Sequence, residues 1–214
     1  MLQIKARVRA SARGDCRNTA ALRNPGRVFR AVAWSAAIAL QLAMGMAASG
    51  QGNPSEFDVK AAYLLSFGKF MRNESAASAD LRESFDVCVM GEDGIEAALR
   101  NLAGGRDIDN RPVRIVHVKD GTQARSCGIA YMSDSEGARM DRDLEEMRGA
   151  DVLTVSDGST FLARGGMIQF LLMSNHVRFA VNLDAVKKTH LALSSELLRV
   201  AYSIMGKPAP EAGP

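Results

Sequence analysis

The chain is poor in the residues from which most catalytic and metal centres are built. It has three histidines, three cysteines and one tryptophan in 214 residues. His117, His176 and His190 have neither the i,i+4 spacing nor the neighbouring cysteines of a zinc site, so no metal or cofactor is expected. No Cys-x-x-Cys pair occurs, which removes the redox-enzyme signature. There is no G-x-S-x-G elbow. An exported hydrolase would have to assemble Ser156, Asp157 and His176 from separate segments. Asp134 and Glu136 pair with Asp157 as working carboxylates only if the fold joins them. Gly91-Glu92-Asp93-Gly94 stands where a phosphate loop would, after a strand and before a helix. It lacks the G-x-G-x-x-G spacing and a Walker lysine, and its two acids repel phosphate. A plain strand-to-helix turn is the better reading.

Nor does the chain contain the ~20 consecutive apolar residues of a membrane-spanning helix. Its longest such run, Ala31–Met44, is about fourteen residues. Eight basic side chains precede it, from Lys5 to Arg30, against the single acid Asp15, and small residues follow from Gly45 to Gly50. This is the layout of a secretory signal peptide, so residues 1–49 are read as a cleaved leader rather than an uncleaved anchor. No cysteine lies just after the run and no adjacent arginine pair precedes it, which gives no support to lipid attachment or twin-arginine export.

Setting the leader aside changes the charge argument. The remainder carries 19 basic and 23 acidic side chains, a formal charge of −4. A mildly acidic chain without basic clusters has no footprint for nucleic acid. Residues 50–206 are enough for one domain with its own core, and the Pro/Gly-rich residues 207–214 are read as a disordered tail. Once Cys16 has left with the leader, Cys88 and Cys127 remain. In an oxidising compartment they either form a bridge or sit as two buried thiols.

Strand and helix signals alternate. Helices are expected at Phe57–Arg72, Gly94–Leu102, Glu136–Arg148 and from Ser194 towards Ile204, ending at Gly206. Strands are expected at Phe85–Gly91, Arg111–Lys119, Gly128–Ser133 and Asp151–Ser156. The runs Met167–Met173 and Val177–Val181 flank Ser174-Asn175-His176, a hairpin signal, and Gly165-Gly166 just before them allows a turn. The first helix is apolar almost all round, with a thin polar stripe at Lys60, Ser66 and Lys69, so it is either buried or packed on another subunit. The expectation is a layered α/β domain with a mixed central sheet flanked by helices and an antiparallel hairpin near the C-terminus.

Several of these segments, in this order, resemble the YfiR-like family of bacterial periplasmic proteins. They are Val59-Lys60-Ala61-Ala62-Tyr63-Leu64 with Phe67, Lys69 and Phe70; Val87-Cys88-Val89-Met90-Gly91; Arg111-Pro112-Val113; Cys127-Gly128-Ile129-Ala130-Tyr131; and Val152–Asp157. The most specific are Gly165-Gly166-Met167-Ile168-x-Phe170, Val177-Arg178-Phe179-x-Val181-Asn182 and Leu193-Ser194-Ser195-Glu196-Leu197-Leu198. The resemblance implies a non-enzymatic repressor of an inner-membrane diguanylate cyclase or sensor kinase, bound through that partner's periplasmic domain. Release of the partner would raise cyclic-di-GMP and promote biofilm. It also implies a Cys88–Cys127 disulfide and a homodimer. Relatives with a second cysteine pair have no counterpart here. Candidate partner contacts are Leu64, Leu65, Phe67, Phe70 and Arg178. The alternative, a small-ligand sensor, would use Gly165, Gly166 and Arg178 around an anion.

Overall fold

The first helix owes its start to Ser55. Its hydroxyl accepts from the Asp58 amide at 3.2 Å while the Asp58 carboxylate accepts from the Ser55 amide at 3.0 Å, a reciprocal capping box. The structure, a computed structural model, describes residues 54–75 and 82–206, so the leader and tail assigned from sequence lie outside the described residues. Among these, no helix is long and apolar enough to cross a membrane.

Helix α1 (Glu56–Phe70) stops short of the expected Arg72 because Met71 turns extended. There the chain enters β1 (Met71–Asn73), paired antiparallel with β9 (Leu191–Leu193) in a small separate sheet. The main sheet has eight strands. Five of them, β4 (Arg111–His117), β2 (Phe85–Met90), β5 (Ile129–Met132), β6 (Leu153–Ser156) and β7 (Ile168–Met173), lie parallel in that order. On one side β3 (Asp107–Ile108) runs antiparallel to β4. On the other, β8 (His176–Asn182) runs antiparallel to β7, and β10 (Ser203–Met205) runs parallel to β8. The short strands β3, β9 and β10 and the β1 pairing are not expected from sequence.

Helices α2 (Ile95–Ala103), α3 (Gly121–Ala124), α4 (Met140–Glu146), α5 (Leu183–Val186) and α6 (Ser195–Val200) complete the layers. The central strands are buried on both faces, and their sequences accordingly read as continuous apolar runs. Val87, Val89, Tyr131 and Val155 point into the core shared with α1 and α2. Cys88, Met90, Ala130 and Met132 point into a second core beneath α4. Cys88 and Cys127 are joined by a disulfide in that second core, with Cα atoms 6.1 Å apart, within the usual span of such bridges.

The β7–β8 hairpin turns on two residues, Ser174 at φ 47° and Asn175 at φ 63°. Two left-handed residues in succession make the turn whose twist matches the strands. His176 is therefore the first residue of β8, opposite Met173, and not part of the break. The last helix is shorter than expected. Ala201 is extended, and the Tyr202 amide donates to the Phe179 carbonyl at 2.8 Å, so the chain is captured by the sheet edge as β10. The expected Glu136–Arg148 helix divides into a 3₁₀ turn, Asp134–Glu136, and α4.

Candidate functional site

The hydrolytic trio does not converge. Ser156 is fully buried and its hydroxyl accepts from the Gly158 amide at 3.0 Å. Ser156 pairs with Gln169, whereas His176 pairs with Met173 at the other end of β7, about 13 Å along the strand. Asp157 is committed elsewhere. Its Oδ2 accepts from Lys60 Nζ at 2.7 Å and its Oδ1 from the Asp134 amide at 3.0 Å. Asp134 thus meets Asp157 through its backbone, and Glu136 is held by Arg139, so no carboxylate pair is poised for acid–base work.

Lys60 and Asp157 mark an informative place. The chain leaves β2 for β4 on one side and later returns to β5 on the other. Doubly wound sheets take ligands beyond the strand ends at such a switch point. Here the place is filled with protein. Gly91, at φ 90°, abuts the loop after β5, where an added Cβ would lie 2.7 Å from Ser135 Oγ. Gly94 sits under the Phe57 ring of α1 at the same closeness. Asp93 accepts from the Ile95 amide at 2.9 Å, starting α2, and from the Tyr131 hydroxyl at 3.2 Å. Burial pushes the Tyr131 hydroxyl far up, and the Asp157 and Asp93 carboxylates push the same way, so it stays a neutral donor. Burial alone would push the Lys60 ammonium down. Its hydrogen bonds and charge attraction to Asp157 and Glu56 outweigh that, and its pKa is raised. Lys60, read from sequence as part of a polar stripe, is a buried bolt between α1 and the sheet.

The accessible chemistry lies on the outer side of α1. Val59, Tyr63, Ser66 and Phe70, spaced four, three and four, form one stripe about 16 Å long. Two grooves meet along it at Tyr63. One, of about 530 Å³, lies between the start of α1 and the hairpin, and is lined by Val59, Leu172, His176, Val177 and Arg178. The other, of about 280 Å³, is lined by Ser66, Phe70, Phe179, Glu196, Leu197 and Val200. Tyr63 is rooted in a ring cluster, 5.9 Å from Phe67 and edge-on to Phe179 at 5.5 Å. Phe70 is 42% exposed, Leu172 57% and Val200 64%. Arg178 is exposed, and no carboxylate pairs with it among the described residues. The smaller groove is mainly apolar, and the larger is half polar, with Glu56, Asn175, His176 and Arg178 along it.

Of the five contact candidates, Leu64, Leu65 and Phe67 are buried in the core at 0–2% exposure and pack the helix on the sheet. Phe67 also lines the smaller groove. Phe70 and Arg178 stand on the groove. Tyr63, Val59 and Leu172 stand there too, and a helix apolar all round does not show in its sequence which stripe faces outward. The ligand set Gly165, Gly166 and Arg178 does not assemble either. The space a Gly166 side chain would need holds the Phe161 ring, and Gly165 lines a different cavity from Arg178.

A layered α/β domain with a filled switch point and an open aromatic groove is thus the class of molecule at hand. The model of the YfiR/HmsC-like family matches residues 57–202, and the chain belongs to that family, one of periplasmic regulators of cyclic-di-GMP signalling. Among solved structures it is similar to a conserved domain protein from Vibrio cholerae O1 biovar El Tor, at 9% identity and a TM-score of 0.50. The match covers 70% of this chain and 60% of that one, and it carries the fold alone. No curated protein matches the sequence.

Proposed function

We propose that the protein represses a membrane-bound signalling enzyme, a diguanylate cyclase or sensor kinase, by binding its periplasmic domain through the groove along α1. What supports this most is the Tyr63–Phe70 groove with Arg178 at its rim, on a chain whose family consists of regulators. Exposed aromatic rings anchored in a core lose little freedom on binding, and such residues carry most interface energy. Repression needs tighter binding to the partner's inactive state than to its active state. A hundredfold preference shifts that equilibrium a hundredfold. The homodimer expected from the resemblance belongs to the same proposal, and light scattering of residues 50–214 checks it.

The experiment is titration of the mature protein against the periplasmic domain of a co-encoded cyclase or kinase. Phe70→Asp and Arg178→Glu change exposed side chains, so the fold should survive both. Each is expected to weaken the complex at least about tenfold. Wild-type affinity in both variants would remove the groove from the interface. Absence of a complex with any such domain would sink the repressor itself.

A further inference from the structure

A third cavity lies on the α4 side of the sheet, away from the α1 groove. At about 650 Å³ it is within the range of small-molecule sites. Its floor is apolar, made by Leu144, Met147, Val152 and Met167. Gly149 and Gly165 stand at its lining at φ 71° and 97°, and nothing lies within 4 Å of where their side chains would be. Two left-handed glycines therefore leave the mouth clear, and any other residue there would be strained as well as obstructive.

The rim is charged, and its charges do not cancel. Asp141 faces Arg164 at 3.5 Å, and Glu145 is paired with Arg148. Lys188 lines the same cavity and has no carboxylate partner among the described residues. The Arg164 side chain is 34% exposed, and its Nη1 donates to the Gly137 carbonyl at 3.0 Å. That bond orients the guanidinium while Nε and Nη2 make no hydrogen bond within the described residues. An oriented guanidinium and a spare ammonium lining one cavity suit one carboxylate. A multiply charged phosphate would meet Asp141 and Glu145 on the same rim, and a cation would meet Lys188. A neutral apolar molecule would cover Lys188 without satisfying it.

We propose that this cleft binds a small monocarboxylate with an apolar body, its carboxylate between Arg164 and Lys188 and its body over Met147 and Met167. The site is separate from the α1 groove and does not rest on the repressor reading. The test titrates the mature protein with octanoate and 3-phenylpropionate by calorimetry. 3-Phenylpropan-1-ol and inorganic phosphate serve as controls, and the methionine methyl signals are followed by NMR. Saturable binding of at least one acid is expected, with shifts in the Met147 and Met167 methyls and binding of the alcohol about tenfold weaker or worse. Lys188→Glu alters an exposed side chain and should weaken the acid at least about tenfold. Arg164→Gln should do the same, provided its melting curve matches wild type. No saturable binding of either acid, equal binding of the alcohol, or undiminished affinity in Lys188→Glu would each overturn the assignment.

Discussion

Replacing Lys60 by Met tests the bolt between α1 and the sheet. The Lys60 side chain is 6% exposed and the Asp157 side chain 19%, and the ammonium lies 2.7 Å from both Asp157 and Glu56. Removing one partner of a buried pair leaves the other charge uncompensated, at a cost of about 3–5 kcal/mol. Asp157 keeps the Asp134 amide, which places the expected loss near the lower end, about 3 kcal/mol. For a domain of this size that is roughly 6–12 °C in melting temperature. Urea unfolding measures it directly, with the slope unchanged. Asp157→Leu combined with Lys60→Met removes both charges, and the double variant should be more stable than the two losses added together. The pH dependence has a definite sign. The folded Lys60 pKa is raised above its ordinary 10.5, so the stabilisation is complete below the unfolded value and is lost as pH rises through the folded one. The difference between wild type and Lys60→Met should stay flat between roughly pH 6 and 9 and shrink above 10.5. A loss below about 0.5 kcal/mol, the scale of a solvated surface pair, would refute the reasoning.

Asp143 is fully buried; Arg142 Nη2 lies 3.5 Å from its Oδ1, but neither carboxylate oxygen makes a well-formed hydrogen bond among the described residues. Burial raises its pKa against the opposing pull of the Gly121 amide, Arg139 and Arg142, so it withdraws stability as pH rises from 3.8 through the folded value. Asp143→Asn is expected to stabilise the protein by about 1–3 kcal/mol at pH 7, with the gain fading towards pH 4 in urea titrations. Cys88 and Cys127 are 39 residues apart, and a bridge closing that loop is worth about 4 kcal/mol in the chain-entropy account. Paired Cys88→Ala and Cys127→Ala substitutions should lose about that much under oxidising conditions and make added reductant irrelevant to the melting curve.

The parallel strands and the hairpin are legible in the sequence because their apolar runs are short, bounded by turn residues, and rich in β-branched side chains. What is not legible depends on partners far along the chain. Nothing near Ser203 announces a strand. It becomes one because the Tyr202 amide finds the Phe179 carbonyl. Nothing near Lys60 tells that the residue facing it is Asp157, so a buried cation reads as part of a wetted stripe. Phe70 and Arg178 are contact candidates from local pattern, and both stand on the grooves. Leu64, Leu65 and Phe67 are buried, which the sequence does not tell, since apolar character alone does not separate the inner side of α1 from the outer.

The pairing of β1 with β9 bears on how the chain can reach this state at all. Residues 71–73, immediately after α1, find their strand partner only at residues 191–193. A chain made from its N-terminus must therefore hold its first helix without its final neighbours until nearly the whole domain has been synthesised. Contacts of such long sequence separation slow folding. Fragments ending before Leu191 keep the Phe170 and Phe179 rings that pack on α1 but leave β1 without its strand partner, and should aggregate or be degraded more readily. The β1–β9 pairing thus ties the end of the first helix to the last tenth of the domain, and it can form only after the main sheet's strands have all been made except β10.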